Sequence, residues 1–251
     1  MIFEFLLCLV AILLIKLIVE YQEIKQRKNK RKNKNEKKVM VSIEGGIGVG
    51  KSSVIHLLKS TFVNAEFIDE PTEEWATIVD ENGKGILQTF YDDKTRWSYT
   101  FQNIAYITRM NHIIDKILNS KKKYIILDRS LQADLNTFAK MLYDSNHLTL
   151  LEWSAYGKWN TFFERFYGNL IDHKIIYLRC DPTVAFERIK LRGREAEKNI
   201  PLSYLESLHK YHDEWLINKS KHNVLILDVN DDFVHNREKF KEMDKEITNF
   251  I

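Results

Sequence analysis

The sequence is poor in the residues that staple or punctuate small folds. Two cysteines, Cys8 and Cys180, among 251 residues exclude a disulfide framework and any zinc site made of cysteines alone. Three prolines and nine glycines exclude collagen-like and low-complexity chains. No internal repeat is present. Charge of one sign is also lacking overall, with 38 Lys+Arg against 35 Asp+Glu. What is abundant is apolar material: 44% hydrophobic and 12% aromatic residues are enough to bury a core, so overall disorder is excluded. A chain of this length makes one large α/β domain or two small ones.

The charge is unevenly placed. Residues 1–38 hold ten Lys/Arg and four Glu, whereas the remainder holds 28 basic and 31 acidic residues. The globular part is therefore not a basic nucleic-acid binder, and no nucleic-acid partner is expected. Met1–Val19 is almost wholly apolar, with Glu4 near one end and Lys16 near the other. That length is at the short end of what a helix needs to cross a bilayer, and both charges can snorkel. Lys25–Lys38 has no apolar residue and is expected as a solvated linker that touches anionic lipid. The expected organisation is a transmembrane signal anchor over 1–20, a basic linker over 21–38 and one domain over 39–251. The positive-inside rule puts the linker and the domain in the cytoplasm as a single-pass arrangement. A cleaved signal peptide fits poorly, because the start lacks positive charge and no small-residue cleavage site follows. If the apolar helix does not insert, a soluble cytoplasmic protein is expected.

Beyond residue 38, strands and helices alternate. β-Branched runs stand at Val39–Ile43, Ala65–Asp69, Lys123–Asp128, Lys174–Arg179 and Val224–Asp228. Val54, Leu57, Leu58 and Phe62 recur at helical spacing, as do Leu202, Leu205, Leu208 and Trp215 behind Pro201. Asp181-Pro182 reads as a cap followed by a first-turn proline. The pattern predicts a five-stranded parallel sheet with helices on both faces.

The first strand runs into Gly45-Gly46-Ile47-Gly48-Val49-Gly50-Lys51-Ser52. Strand, GxxxxGKS, then helix is the context a phosphate-binding loop requires. Backbone N–H groups there converge on phosphate oxygens, and the helix N-terminus adds positive potential. Lys51 can neutralise a transferred phosphate, and the Ser52 hydroxyl can ligate Mg²⁺. The motif predicts a nucleoside triphosphate with Mg²⁺, without separating kinase, GTPase and ATPase. Asp128-Arg129 ends a buried strand at the ligand crevice, which suits a metal and phosphate charge. Glu70 ends another strand, where a carboxylate can take the proton of an attacking hydroxyl. Arg188, Arg192 and Arg194 suit a lid that closes on a triphosphate, with Arg188 and Arg192 on one helix face. His209 and His212 read as a solvated helix face, and Cys180 as a core thiol.

Five segments together resemble the deoxyribonucleoside kinase family (deoxycytidine, deoxyguanosine, mitochondrial thymidine and insect multisubstrate kinases). They are Ile43–Ser52; Asp69-Glu70-Pro71 with Trp75; Leu87–Tyr91 through Arg96–Gln102; Asp128-Arg129-Ser130 with Asp134 and Phe138; and Arg192-Gly193-Arg194 through Glu197 and Ile200-Pro201. Leu227–Phe233 resembles the family's adenine-side loop. The likeness covers essentially all of 39–251. It implies a P-loop kinase that uses ATP and Mg²⁺ and forms a homodimer. Position by position, it implies that Glu70 is the base for the sugar 5′-hydroxyl and that Arg129 polarises that end of the substrate. Tyr91 and Glu197 would bind the 3′-hydroxyl. Gln102 would pair with the base, Phe138 would stack on it, and Trp75 and Phe101 would wall the pocket. Arg109 and Asp134 would form a charged pair at the base edge. The phosphate loop through Ser53, with Arg188, Asp232 and Phe233, would hold the donor. Lys51, Arg192 and Arg194 would act on the migrating phosphoryl group, and Ser52 and Asp128 would hold the metal. Asp128 stands where the family usually has Glu, one methylene longer, so a metal contact through water is expected.

A charged pair at the base edge favours deoxycytidine, deoxyadenosine and deoxyguanosine over thymidine, whose methyl group offers no polar match. Two alternatives stay open: a thymidylate-type nucleoside monophosphate kinase, and a non-catalytic nucleotide-binding module tethered to a membrane.

Overall fold

The computed structural model describes residues 37–168, 170–194, 197–220 and 222–251. The apolar segment 1–20 and nearly all of the linker 21–38 lie outside the described residues. Among those described, no helix is long and apolar enough to cross a membrane.

Strand β1 (Lys38–Glu44) is followed by helix α1 (Lys51–Thr61), β2 (Ala65–Ile68), α2 (Thr72–Ala76), α3 (Ile86–Asp92) and the long α4 (Lys94–Asn119). Next come β3 (Tyr124–Asp128), a short α5 (Leu131–Ala133), a π-helical stretch (Asp134–Ala139), α6 (Lys140–Asp144) and α7 (Leu150–Tyr167). The chain finishes with β4 (Ile171–Arg179), α8 (Pro182–Arg192), α9 (Leu202–Asp213), a second π-helical stretch (Glu214–Lys219), β5 (Asn223–Asp228) and α10 (Arg237–Phe250). The strands form one sheet in the order β2-β3-β1-β4-β5, with every pairing parallel.

Successive side chains of a strand point to opposite faces, and the two cores follow that rule. Met40, Ile125 and Leu127 join Phe101, Met110 and Ile113 of α4 on one face. Val41, Ile43 and Ile126 join Val54 and Leu58 of α1 and Ile247 of α10 on the other. β1 lies at the centre, so it is covered on both faces and reads as a near-continuous apolar run. Its pairing with β3 reaches Ile43 opposite Asp128. The phosphate loop and the Asp128 strand end are thereby neighbours at the carboxyl end of the two strands.

Several boundaries differ from the sequence reading, most by one residue, and three differences are informative. β1 starts at Lys38, inside the stretch read as linker, because the Lys38 ammonium caps carbonyls of Lys116, Ser120 and Lys122. β4 starts at Ile171 rather than Lys174, and it takes in His173, which bonds the Ser42 hydroxyl across β1 at 2.9 Å. Burial holds the His173 ring near pKa 3, so it stays neutral. The apolar pattern ending in Trp215 is not one helix, since it widens into a π-helix from Glu214.

Candidate active site

The phosphate loop is packed too tightly for side chains at two of its turns. A Cβ at Gly48 (φ +81°) would lie 2.5 Å from the Ala185 carbonyl of α8, and one at Gly50 (φ +99°) 2.8 Å from the Phe233 ring. Only glycine meets both the left-handed backbone and the close approach. Lys51 opens α1 and donates to the carbonyls of Gly46 (2.7 Å) and Gly45 (3.2 Å). Its burial, then the neighbouring Arg129 charge, lower the Lys51 pKa to about 7. Ile47, Gly48, Gly50, Lys51, Ser52 and Ser53 line a cleft of about 620 Å³, within the size range of small-molecule sites. Val49 instead turns into the core.

Ser52 Oγ donates to Asp128 Oδ2 at 3.2 Å. Asp128 Oδ1 is buried without a partner. Two hard oxygen donors beside a phosphate loop fit Mg²⁺, which binds through one or two protein oxygens and fills its shell with water and substrate phosphate. Among the described residues no group of three or more His, Cys, Asp or Glu could hold a metal.

Next to the loop runs a chain of charges. Arg129 is held at φ 64°, a left-handed conformation that costs a non-glycine residue about 1–2 kcal/mol. Its guanidinium donates to Glu70 Oε1 at 2.8 Å and approaches the Gly45 and Gly46 carbonyls at 3.4 Å. Arg109, 2% exposed, reaches three acceptors: Asp134 Oδ2 (3.0 Å), the Asp128 carbonyl (2.7 Å) and Glu70 Oε1 (3.2 Å). Both arginines use the same oxygen of Glu70, which leaves Oε2 for something else. Burial alone would raise the Glu70 pKa. The Arg129, Arg109 and Lys51 charges outweigh it and hold the carboxyl at about 2. Asp134 is raised, because its burial outweighs the attraction of Arg109.

The rest of the cleft is an aromatic slot. Phe101 packs edge-on against Trp75 (5.4 Å) and stacks on Phe90 (4.8 Å). The Trp75 indole donates to Thr108 at 2.9 Å, so that wall is fixed to α4. Phe138 also lines the cleft, with the Arg129 guanidinium over its ring at 5.0 Å. Asp134 and Phe138 both reach the cleft from the π-helical stretch, a distortion frequent at functional sites. Gln102 also lines the cleft, and its Oε1 is buried without a partner. An unpaired buried amide is costly unless something binds it.

At the open end Glu197 holds Arg192, with Arg194 at 3.6 Å. Tyr91 lies between this trio and the slot. Burial, then Tyr204 and Glu197, raise its pKa well above the ordinary phenol value.

Some residues chosen from the sequence stand elsewhere. Arg188 does not line the cleft. Its guanidinium bonds the carbonyls of Asn230 (3.1 Å) and Asp231 (3.0 Å) and so braces the loop after β5. Shared helical spacing with Arg192 set its face, but the partner on that face is backbone. Asp232 is likewise turned from the cleft, because its carboxylate caps the amides of Val234 and His235. Phe233 is buried against Gly50 as a prop for the loop. His212 is not solvated but fully buried, stacked on Tyr177. His209 pairs with Asp213 at 3.3 Å. Other residues of the site were not foreseen. Phe90 sits beside Tyr91 in a quoted segment. Tyr204 is an aromatic off the apolar stripe of α9, with Lys94 4.5 Å over its ring. Glu44 is a wholly buried carboxyl at the end of β1.

Comparison with known proteins agrees with this geometry. A family model described as deoxynucleoside kinase matches residues 41–251. Mitochondrial deoxyguanosine kinase of Xenopus laevis is 34% identical over 84% of this chain and 89% of its own length. Human deoxycytidine kinase is 32% identical over 84% and 90%. A probable deoxycytidine kinase of Fowlpox virus is 36% identical over 76% and 78%. A match running from within β1 to the last residue, with such relatives spanning most of both chains, leaves one assignment: this chain belongs to the deoxynucleoside kinase family, and it is an enzyme of that kind.

Proposed function

We propose that the protein transfers the terminal phosphoryl group of ATP to the 5′-hydroxyl of a deoxynucleoside, with cytosine and purine nucleosides preferred over thymidine. The observation that carries this reading is the position of Glu70. It shares one cleft with the phosphate loop and the aromatic slot, and only one of its oxygens is occupied by arginine. Glu70 Oε2 accepts the hydroxyl proton, and Arg129 steadies the same end of the sugar. Mg²⁺, held through Ser52 and Asp128, would supply charge neutralisation along the phosphates. Lys51, Arg192 and Arg194 meet the phosphates of the donor. Tyr91 and Glu197 bind the 3′-hydroxyl, and the base lies between Phe138 and Phe101.

The preference among bases rests on the far end of the slot. Gln102 both donates and accepts, and the Arg109–Asp134 pair is buried beside it. A cytosine or purine edge offers matching donors and acceptors, whereas the thymine methyl leaves the pair unmatched. A monophosphate acceptor would need free cations here. Arg109 is committed to Asp134 and Glu70, and Arg129 to Glu70, which favours an uncharged alcohol. The test is turnover of the full chain with ATP and Mg²⁺ on the four deoxynucleosides and their monophosphates. Faster phosphorylation of a monophosphate, or of thymidine, would remove the corresponding half of the proposal.

We also infer a membrane tether through residues 1–20, on their composition alone, and a homodimer. The dimer reading is supported by exposed Leu151, Trp159 and Phe162 on one stripe of α7. Retention in membranes after alkaline extraction tests the tether. Sedimentation of the wild type against Trp159→Glu tests the dimer.

A further inference from the structure

A carboxyl group at the end of β1 has no task in the reading above. Glu44 is 0% exposed, and burial raises its pKa. Its Oε1 accepts from the Ser130 amide at 2.9 Å, across 86 residues of chain. Its Oε2 has no hydrogen-bond partner.

The sheet explains why a side chain is needed there. β1 and β3 pair in parallel up to Ile43 and Asp128, and Ile43 O then accepts from the Arg129 amide at 3.1 Å. Beyond that point β1 turns into the phosphate loop. The Gly45 carbonyl turns to Lys51 and the Arg129 guanidinium, and the backbone ladder ends there. The Glu44 carboxyl supplies the acceptor for the Ser130 amide past that end. Ser130 is also a hub. Its hydroxyl caps α5 at the Ala133 amide (3.3 Å), ahead of the π-helical stretch that carries Asp134 and Phe138. The residue before it is Arg129, in its left-handed conformation. Such a conformation persists only where its surroundings over-determine it, and the bonds on either side of it go to Ile43 and Glu44.

We propose that Glu44 is a positioning residue that acts as a hydrogen-bond acceptor: by holding the Ser130 amide, it keeps Arg129 in the left-handed turn from which its guanidinium reaches Glu70. This rests on the assignment of Arg129 and Glu70 as the phosphoryl-transfer end of the cleft. Its test therefore compares Glu44 variants with Arg129 variants rather than with substrate choice.

Four full-length proteins decide it: Glu44→Met, Glu44→Gln, Arg129→Ala and the double variant Glu44→Met/Arg129→Ala. Met has nearly the shape of Glu and suits an apolar site, but it accepts nothing from Ser130. Gln keeps the acceptor oxygen. At saturating ATP and nucleoside, Glu44→Met should lower kcat at least thirtyfold, while the Kd for ATP changes less than threefold. Glu44→Gln should restore kcat to within about threefold of the wild type. In the Arg129→Ala background, Glu44→Met should cost less than threefold more, since the residue it positions is gone. A merely structural role would lower Tm and leave turnover per folded site unchanged. The proposal is overturned if Glu44→Met keeps wild-type kcat or if its loss is the same in both backgrounds. It is also overturned if Glu44→Gln falls as far as Met, because charge would then be the requirement. Failure of Glu44→Met to fold leaves the Gln variant to decide: retained turnover supports the acceptor role, and collapse refutes it. If Arg129→Ala itself turned over normally, the assignment of Arg129 would fail instead, which is a separate result.

Discussion

Replacing Glu70 by Gln removes a charge and a base while leaving the shape of the site. The amide oxygen can still accept from Arg129 and Arg109, as Oε1 does now at 2.8 and 3.2 Å. The amide nitrogen takes the place of Oε2 and cannot receive a proton. General-base catalysis contributes ~10²–10⁴ in rate. The arginines hold the Glu70 pKa at about 2, which keeps the group ionised but weakly basic, so the loss should lie near the lower end, about 10², or ~3 kcal/mol of barrier. ATP binding should be unchanged or tighter, because a negative charge leaves the phosphate site. Stability should fall as well. A carboxyl lowered from 4.5 to about 2 stabilises the folded state above pH 4.5 by ~3 kcal/mol. That contribution is lost as pH falls toward 2, and Gln lacks it at neutral pH. The assays are initial rates at saturating substrates, titration calorimetry with ATP, and thermal unfolding. The wild-type pH–rate profile should show no acid limb from Glu70 above pH 4. Turnover of the Gln variant within threefold of the wild type would refute the assignment of Glu70 as base.

Arg109→Leu leaves Asp134 buried without its cation, a loss expected to cost ~3–5 kcal/mol; adding Asp134→Ala should recover most of it. Calorimetric melting of both variants checks this, and a double variant no more stable than the single would show that the two charges are not coupled. The double variant should also lower the ratio of deoxycytidine to thymidine kcat/KM. Lys51, at about pKa 7, should gain a proton when phosphate arrives. MgATP binding between pH 7 and 9 should therefore take up a fraction of a proton, measured as a dependence of binding heat on the buffer's ionisation heat and abolished in Lys51→Met. Gly48→Ala should unfold the loop or abolish ATP binding, since its Cβ meets backbone at 2.5 Å. Gly83→Ala, at φ +78° with nothing nearby, should cost only about 1 kcal/mol; equal damage at both positions would contradict the packing argument.

What could be read from the sequence was local. GxxxxGKS encodes a backbone path and a helix start within eight residues, and β-branched runs mark the strands to within a few positions. Asp128-Arg129 was legible because a strand end points into the crevice of a parallel sheet. What stayed hidden depends on contacts between distant segments. Spacing placed Arg188 and Arg192 on one face of α8, but it could not say that Arg188 would meet the carbonyls of Asn230 and Asp231. The resemblance marked Leu227–Phe233 as an adenine-side loop, but it could not say that Asp232 caps its own turn and Phe233 supports Gly50. The π-helical stretches carry no periodic signature short enough to notice. Glu44 lay outside the run read as the first strand (Val39–Ile43), and only the three-dimensional neighbourhood of β1 and β3 gives its carboxyl a partner.

The charges in the cleft form a single relay rather than separate pairs. Asp134 holds Arg109, Arg109 and Arg129 share one oxygen of Glu70, and Arg129 reaches the carbonyls of Gly45 and Gly46. Under the proposed function the two ends would serve different tasks, base recognition at Asp134 and phosphoryl transfer at the loop. Arg109, Arg129 and Asp134 are buried, where an unpaired charge costs several kcal/mol, and Glu70 is about a quarter exposed. A base that moves Asp134 away from Arg109 would therefore also change how Arg109 holds Glu70. Under the proposed function, discrimination between bases in such a site would be expressed partly in kcat, because a poorly matched base leaves the carboxylate at the reacting hydroxyl differently held. An aromatic slot alone could not do this, since stacking is tolerant of sequence and carries no charge. Coupling the proposed base edge to the proposed base Glu70 through Arg109 would give the fold a means of making selectivity part of the chemical step.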